Sequence, residues 1–298
     1  MILNGKAAAD FIKEELKSKV DRYMEEIGRA PHLAAVLVGE DGASMTYVSA
    51  KVRSCDYVGY RSTLHHLKDT VSEEELLQLI QKLNKNMSVN GILVQLPLPA
   101  HISTQKVINA INPSKDVDGF HQLNIGKMLQ GLPSFIPATP YGIMLLLEHY
   151  KIETKGKHAV VLGRSNIVGR PISILLSRDT NPGNCTVTLC HSHTKNIEQI
   201  CLTADIIVTA LGKPGFVTAN MVKDGCVVID VGITRLTDPT RPMGYKLFGD
   251  VDYINVAPKA SYITPVPGGV GPMTIAALLK NTFTAFEDQV ASNYAQFR

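Results

Sequence analysis

Between Pro31 and Gly39 lies Leu33-Ala-Ala-Val-Leu-Val38, a continuous run of six apolar residues. So short a run falls below the usual length of a helix, and a strand apolar at every position must be covered on both faces. Comparable short runs occur at 91–95, 158–162, 185–189, 205–210 and 226–230. Helical periodicity fills several of the intervals. Phe11, Ile12, Leu16, Val20, Tyr23, Met24 and Ile27 fall at helical spacing over 7–27, with Gly28 as a stop, and a second helix is expected at 43–58. Ser72-Glu-Glu-Glu75 has the form of a capping box, followed by an apolar stripe of Leu76, Leu77, Ile80 and Leu83. Strands alternating with helices predict an α/β protein with parallel sheets covered by helices.

At roughly 100–200 residues per domain, 298 residues suggest two domains. Residues 131–142 hold three prolines and two glycines, so the boundary is placed near 140. The expected division is an N-terminal domain of 1–140, completed by a C-terminal helix at 273–298, and a doubly wound domain of 141–272. Hydrophobic residues are 45% of the chain and charged residues 19%, enough apolar material for two cores and a composition that excludes intrinsic disorder. The net charge of +3, with no long basic run, is too mild for a nucleic-acid surface, leaving small molecules as the expected partners. Stretches 86–105 and 128–147 lack charged residues but are interrupted by Pro, Gly and polar residues, so no membrane helix is expected. The five cysteines form no C-x-x-C pair, and the start lacks a signal-peptide pattern; both predict reduced thiols in a cytoplasmic protein.

Gly163-Arg-Ser-Asn-Ile-Val-Gly169 begins where strand 158–162 ends, and Pro171 suits the first turn of a helix. Small residues at such a junction let the backbone approach a pyrophosphate, which the helix N-terminus attracts. The spacing matches neither G-x-G-x-x-G nor a P-loop. NAD sites place an acidic residue about 20 residues further on, at the tip of the second strand. Here that tip reads Cys190-His-Ser-His-Thr194 followed by Lys195, with no carboxylate to repel a 2′-phosphate. NADP is therefore the expected cofactor, with Arg164 and Ser192 as phosphate donors. His191 and His193 supply two metal ligands at most, and no third lies nearby, so no metal is expected there or at His65-His66.

Tyr47 and Lys51 are four residues apart on the 43–58 helix and share a face. A ring there can stack on a flat heterocycle, and a partly desolvated amine can exchange protons near neutrality. Taken alone, the pair reads more readily as an exposed Lys and a half-buried Tyr on an ordinary amphipathic helix. Four further segments stand beside it and the glycine turn: Val94-Gln-Leu-Pro-Leu-Pro99, Lys115-Asp-Val-Asp-Gly119, Asp230-Val-Gly-Ile233 and Ile263-Thr-Pro-Val-Pro-Gly-Gly-Val-Gly-Pro-Met-Thr274. With these motifs the chain resembles, over nearly its whole length, the bifunctional methylenetetrahydrofolate dehydrogenase/methenyltetrahydrofolate cyclohydrolase family.

That resemblance implies an N-terminal catalytic lobe, a Rossmann-like NADP lobe, a substrate cleft between them, and a homodimer. It implies oxidation of 5,10-methylenetetrahydrofolate by hydride transfer to NADP+, then hydrolysis to 10-formyltetrahydrofolate. Lys51 would be the catalytic lysine, Tyr47 would position the folate, Gln95 would hydrogen-bond the lysine, and Asp118 would accept bonds from the amino-pyrimidine edge of the pterin. Val94 and Leu96 would flank the substrate, and Pro267, Gly268 and Gly269 would wall the cleft. Gly163, Arg164, Ser165, Ser192 and Ile233 would hold NADP. Two rival readings stand beside it: a shikimate-type NADP oxidoreductase, and a non-catalytic dinucleotide-sensing module.

Overall fold

The computed structural model describes residues 1–240 and 244–295; the last residues of the helix expected to reach 298 lie outside them. The chain divides into two compact units: Asp10–Ala138 with Ile275–Arg298, and Met1–Ala9 with Thr139–Thr274.

The first unit follows α1 (Gly5–Ile27) with β1 (His32–Val38), α2 (Gly42–Tyr57), β2 (Arg61–Leu67), α3 (Glu73–Lys85), β3 (Gly91–Val94), α4 (Thr104–Ala110) and α5 (Gln122–Leu129). Its three strands lie parallel in the order β2-β1-β3. Every residue of β1 is buried, as an apolar central strand requires. On one face Ala34, Val36, Ile92 and Val94 pack with Leu76, Ile80 and Leu83 of α3 and Val107 of α4. Burial of each large side chain there stabilises the fold by about 1.5–3 kcal/mol. The Ser72 hydroxyl accepts from the Glu75 N–H while the Glu75 carboxylate accepts from the Ser72 N–H, completing the capping box.

In the second unit come α6 (Ala138–His149), β4 (His158–Leu162), α7 (Gly169–Ser177), β5 (Thr186–Cys190), α8 (Ile197–Leu202), β6 (Ile206–Thr209), β7 (Val227–Asp230), β8 (Thr234–Thr237), β9 (Tyr245–Phe248), α9 (Tyr253–Val256), β10 (Tyr262–Ile263) and α10 (Val270–Ala295), the last continuing into the first unit. The five-stranded sheet is parallel, in the order β10-β7-β6-β4-β5. From β4 the chain goes to β5 on one side and then crosses to β6 on the other, so the order reverses at β4. In open α/β sheets the carboxyl edge at such a reversal is where ligands bind. The antiparallel pair β8–β9 stands apart from this sheet.

Residues 1–9 pack with this second unit because their backbone joins its edge: Leu3 N–H donates to the Ile263 carbonyl at 2.8 Å, and Lys6 N–H to the Gly268 carbonyl at 3.0 Å. Part of the proline-rich stretch 131–142 is helical, since α6 starts at Ala138 and takes Pro140 into its first turn, where a missing N–H costs nothing.

Candidate functional site

In the first unit, β3 ends at buried Val94, and Gln95 prolongs its ladder by donating its N–H to the Val36 carbonyl at 2.9 Å. The Gln95 side-chain amide then turns back, with Nε2 donating to the Leu96 carbonyl at 2.7 Å. A carbonyl can only accept, so this bond fixes which way the amide lies and leaves Oε1 toward Lys51. Lys51 Nζ donates to it at 3.0 Å. Lys51 is only 6% exposed on α2, and Tyr47, half-buried, lies one turn earlier on the same helix.

Asp118 comes from a loop held by several independent devices. Lys115 Nζ donates to the carbonyls of Leu83, Asn84 and Asn86 at 3.2, 2.8 and 2.8 Å, closing the C-terminus of α3, where helix carbonyls lack intrahelical partners. The buried Asp116 carboxylate accepts from the backbone N–H groups of Phe120 and His121 and from the Asn124 amide. Gly119 has φ +74°, and a Cβ there would stand 2.6 Å from the Ile136–Pro137 backbone, so only glycine fits. From α10, the Asn281 amide donates to the Val117 and Ile136 carbonyls at 2.8 and 2.9 Å. Asn281 was not singled out in the sequence, because it sits in a helix with no recognisable motif around it.

Burial pulls the Lys51 amine below the usual lysine range, and the Asp118 charge pulls it back up. The Asp118 carboxyl is pushed up by burial and drawn down by Lys51. An amine lowered and a carboxyl raised in this way are brought closer in proton affinity, which suits them to moving a proton. The Asp116 carboxyl is pushed up to about 6 by burial, against its hydrogen bonds.

At the carboxyl edge of the second unit's sheet, Gly163 N–H donates to the Cys190 carbonyl at 2.9 Å, with φ +110°. A Cβ on Gly163 would lie 2.5 Å from the Ala210 carbonyl oxygen at the end of β6, and one on Gly169 would collide with the Gly163 carbonyl. Both glycines thus keep the turn between β4 and α7 low over the sheet. The Ser165 hydroxyl accepts from the N–H groups of Val168 and Gly169, each at 3.2 Å, which leaves its own O–H as a donor. Arg164 and Ser192 are exposed, and Ile233 is 41% exposed beyond β7. Pro267 is exposed, Gly268 has φ +103°, and buried Gly269 would bring a Cβ within 2.6 Å of the Pro265 carbonyl.

Two buried carboxylates shape this edge, and sequence reasoning overlooked one of them. Asp230 accepts from the N–H groups of Gly232, Asp250 and Val251 at 2.9–3.0 Å. Asp250 accepts from the N–H groups of Leu211, Gly212 and Lys213 and from the Thr209 hydroxyl. Asp250 lies outside every quoted motif; its Gly-Asp-Val setting gave no signal. Burial raises the Asp230 carboxyl to about 6. Among the described residues no group of three potential metal ligands is gathered, and no helix is long and apolar enough to cross a membrane.

A doubly wound sheet with a glycine turn at its reversal point, together with a separate α/β unit carrying a buried lysine, defines a dinucleotide-dependent class of protein. Comparison with known proteins narrows it. The family model for the tetrahydrofolate dehydrogenase/cyclohydrolase catalytic domain matches residues 3–118, and that for the NAD(P)-binding domain of the same family matches residues 137–290. The chain belongs to the tetrahydrofolate dehydrogenase/cyclohydrolase family. It is 58% identical over 284 residues to the bifunctional protein FolD of Cytophaga hutchinsonii, covering 95% of this chain and 98% of that one. To the FolD of Flavobacterium psychrophilum it is 58% identical over 293 residues, covering 98% and 100%. Among solved structures, a Trypanosoma brucei methylenetetrahydrofolate dehydrogenase-cyclohydrolase complexed with NADP and inhibitor superposes with a TM-score of 0.93 at 38% identity, covering 97% of this chain and 98% of that one. The Campylobacter jejuni bifunctional enzyme gives 0.90 at 47% identity, covering 97% and 99%.

Proposed function

We infer that this chain is the NADP-dependent enzyme that oxidises 5,10-methylenetetrahydrofolate to the 5,10-methenyl compound and then hydrolyses it to 10-formyltetrahydrofolate. Family membership sets aside the shikimate-type and sensing-module readings. The observation that carries the chemical half is the buried Lys51 amine, held at 3.0 Å by an amide whose orientation is itself fixed, with Asp118 as its charge partner.

The glycine turn fits a dinucleotide: side chains that would lift the backbone off the sheet are missing at 163 and 169, and no carboxylate stands at the β5 tip. Gly163, Arg164, Ser165, Ser192 and Ile233 would hold NADP, whose nicotinamide, when bound, supplies the hydride acceptor. The chain's own residues do the rest. Tyr47 offers a ring face for the pterin, and Asp118 accepts from its amino-pyrimidine edge. Val94 and Leu96 flank Gln95. In the hydrolytic step Lys51 relays protons as water adds to the cationic carbon, worth about 10²–10⁴-fold. Gln95 Oε1, an acceptor, favours the ammonium and so tunes how readily the proton leaves.

The test is the absorbance of the methenyl product formed from methylenetetrahydrofolate with NADP+ and, separately, with NAD+. Product with NADP+ and a much lower kcat/KM with NAD+ is expected; equal efficiency with both would overturn the cofactor assignment. Assembly as a homodimer in the cytoplasm completes the proposal, on the strength of the family resemblance, and light scattering of the purified chain checks the oligomer.

A further inference from the structure

The two units repeat one arrangement of strands. Each sets three of them in the order second, first, third: β2-β1-β3 and β5-β4-β6. At the start of the first strand, His32 N–H donates to the Asn90 side chain and His158 N–H to that of Asp205, both at 2.8 Å. Each imidazole is bonded through Nε2 to a threonine of the second strand, Thr63 at 2.8 Å and Thr188 at 2.9 Å. The two threonines hold the same register position, paired with Ala34 and with Val160. Just past the third strand, Gln95 N–H donates to the Val36 carbonyl and Ala210 N–H to the Leu162 carbonyl, each at 2.9 Å. Ala210 therefore stands in the second unit where Gln95, the partner of Lys51, stands in the first.

An alanine side chain has no polar group to offer, so at this position the second unit works with backbone. Asp250, fully buried, accepts from the N–H groups of Leu211, Gly212 and Lys213 at 2.6, 3.2 and 2.7 Å and from the Thr209 hydroxyl at 3.1 Å. Successive N–H groups turned to one point form a nest for an anion; here the chain's own carboxylate fills it. With those donors spent, the backbone of the turn offers a ligand carbonyl acceptors, which suit hydroxyl and amide donors and repel a phosphate. Asp250 is itself fixed, its N–H donating to the Asp230 carboxylate at 3.0 Å. Glycines make room for both groups: a Cβ on Gly232 would collide with the Asp250 carboxylate, and one on Gly249 with that of Asp230. Doubly wound sheets meet the adenosine ribose at the tip of the second strand and the pyrophosphate at the first turn, here β5 and 163–169. The nicotinamide half is left to the other side of the reversal, where β6 runs into 210–213 against Gly163. We propose that Asp250 is a positioning residue for the coenzyme: by filling the nest it holds the 210–213 turn as an acceptor surface for the hydroxyl and amide donors of the nicotinamide–ribose half. The proposal rests on the NADP reading above and gives one half of that coenzyme its own determinant.

Calorimetric titration of the full chain with NADP+ and with adenosine 2′,5′-bisphosphate, which lacks the nicotinamide half, tests this. Both Asp250 oxygens take N–H donors, so in Asp250→Asn the amide nitrogen must face one of them and leave it unpaired. NADP+ should then bind about tenfold or more weakly, the effect of one buried donor without a partner, while the bisphosphate binds as it does to wild type. Thr209→Val removes one donor and keeps the carboxylate; it should show the same contrast more weakly, and Thr209→Ser should restore NADP+ affinity. If Asp250→Asn does not fold, the Thr209 pair decides. NADP+ bound by the variants as by wild type, or both ligands weakened equally, would overturn the proposal, the second because it marks a general loosening of the unit. Either result defeats this inference alone; a wild-type chain that binds neither ligand defeats the coenzyme reading as well.

Discussion

The surroundings of Lys51 and the carboxyl edge of the β4–β6 sheet solve different problems with different materials. Around Lys51 the working groups are side chains: an amine that donates to an amide, the amide held by the Leu96 carbonyl, and a carboxyl drawn down by the amine's charge. At the sheet edge they are backbone: glycines that leave room, and N–H groups gathered by the buried carboxylates of Asp230 and Asp250. Proton transfer needs a group whose charge can change, whereas a dinucleotide needs a close, fixed surface. Substitutions should therefore separate the two regions by the kind of change that damages them.

Lys51→Ala should have the largest effect. Methenyl hydrolysis, followed by loss of its absorbance, should fall by about 10²–10⁴-fold with NADP+ affinity unchanged; near-normal hydrolysis would refute the lysine's role. Gly169→Ala should do the reverse, because its methyl would meet the Gly163 carbonyl. NADP+ should bind about tenfold or more weakly, a loss of about 1.4 kcal/mol or more, while hydrolysis of added methenyl substrate continues. Gln95→Ala sharpens the contrast within the first region. Losing the acceptor for Lys51 removes support for the ammonium, so the rising limb of the hydrolysis pH profile should move to lower pH.

A smaller effect is common to both regions. Asp116 and Asp230 each have a carboxyl raised to about 6 in the folded chain, above the unfolded value of about 3.9. Such a group contributes stability that is complete below the unfolded value and is lost as pH rises through the folded one. In urea unfolding, wild type minus Asp116→Asn should shrink between pH 4.5 and pH 7; a growing difference would contradict the assignment. Smallest is Ser165→Ala, which removes the hydroxyl accepting the Val168 and Gly169 N–H groups at the start of α7. It should cost about 1 kcal/mol, read as a small drop in Tm.

Where apolar pattern and burial coincide, the elements were legible: β1 is buried throughout and apolar from Leu33 to Val38, and Ser72 caps α3 through Glu75 as its spacing implies. β2 was not, since Arg-Ser-Thr-Leu-His-His-Leu is mostly polar and pairs only with β1 at the sheet's edge, where one side faces solvent. The hairpin β8–β9 escaped for a similar reason, its residues half-buried at most. In the site, Tyr47 and Lys51 could be placed on one helix face from spacing alone. The lysine's partners came only through resemblance, because Gln95 and Asp118 are brought to it by a sheet and a loop far along the chain. Of the Lys-Asp-Val-Asp-Gly run, Lys115 and Asp116 turn out to support the loop rather than face the chemistry. Asn281 and Asp250 had no local pattern to betray them.

The order in which a ribosome releases the chain conflicts with the order in which its parts can close. Met1 donates its amine to the Ser261 carbonyl, 260 residues downstream, and Tyr60 donates its hydroxyl to the Leu279 carbonyl, 219 residues downstream. Residue 1 must therefore remain unattached until residue 261 has emerged, and the earlier unit waits for α10. Neither 10–138 nor 139–274, cut out as a continuous fragment, would carry all its own contacts. Nascent chains stalled before residue 261 should consequently be more sensitive to protease than the released protein.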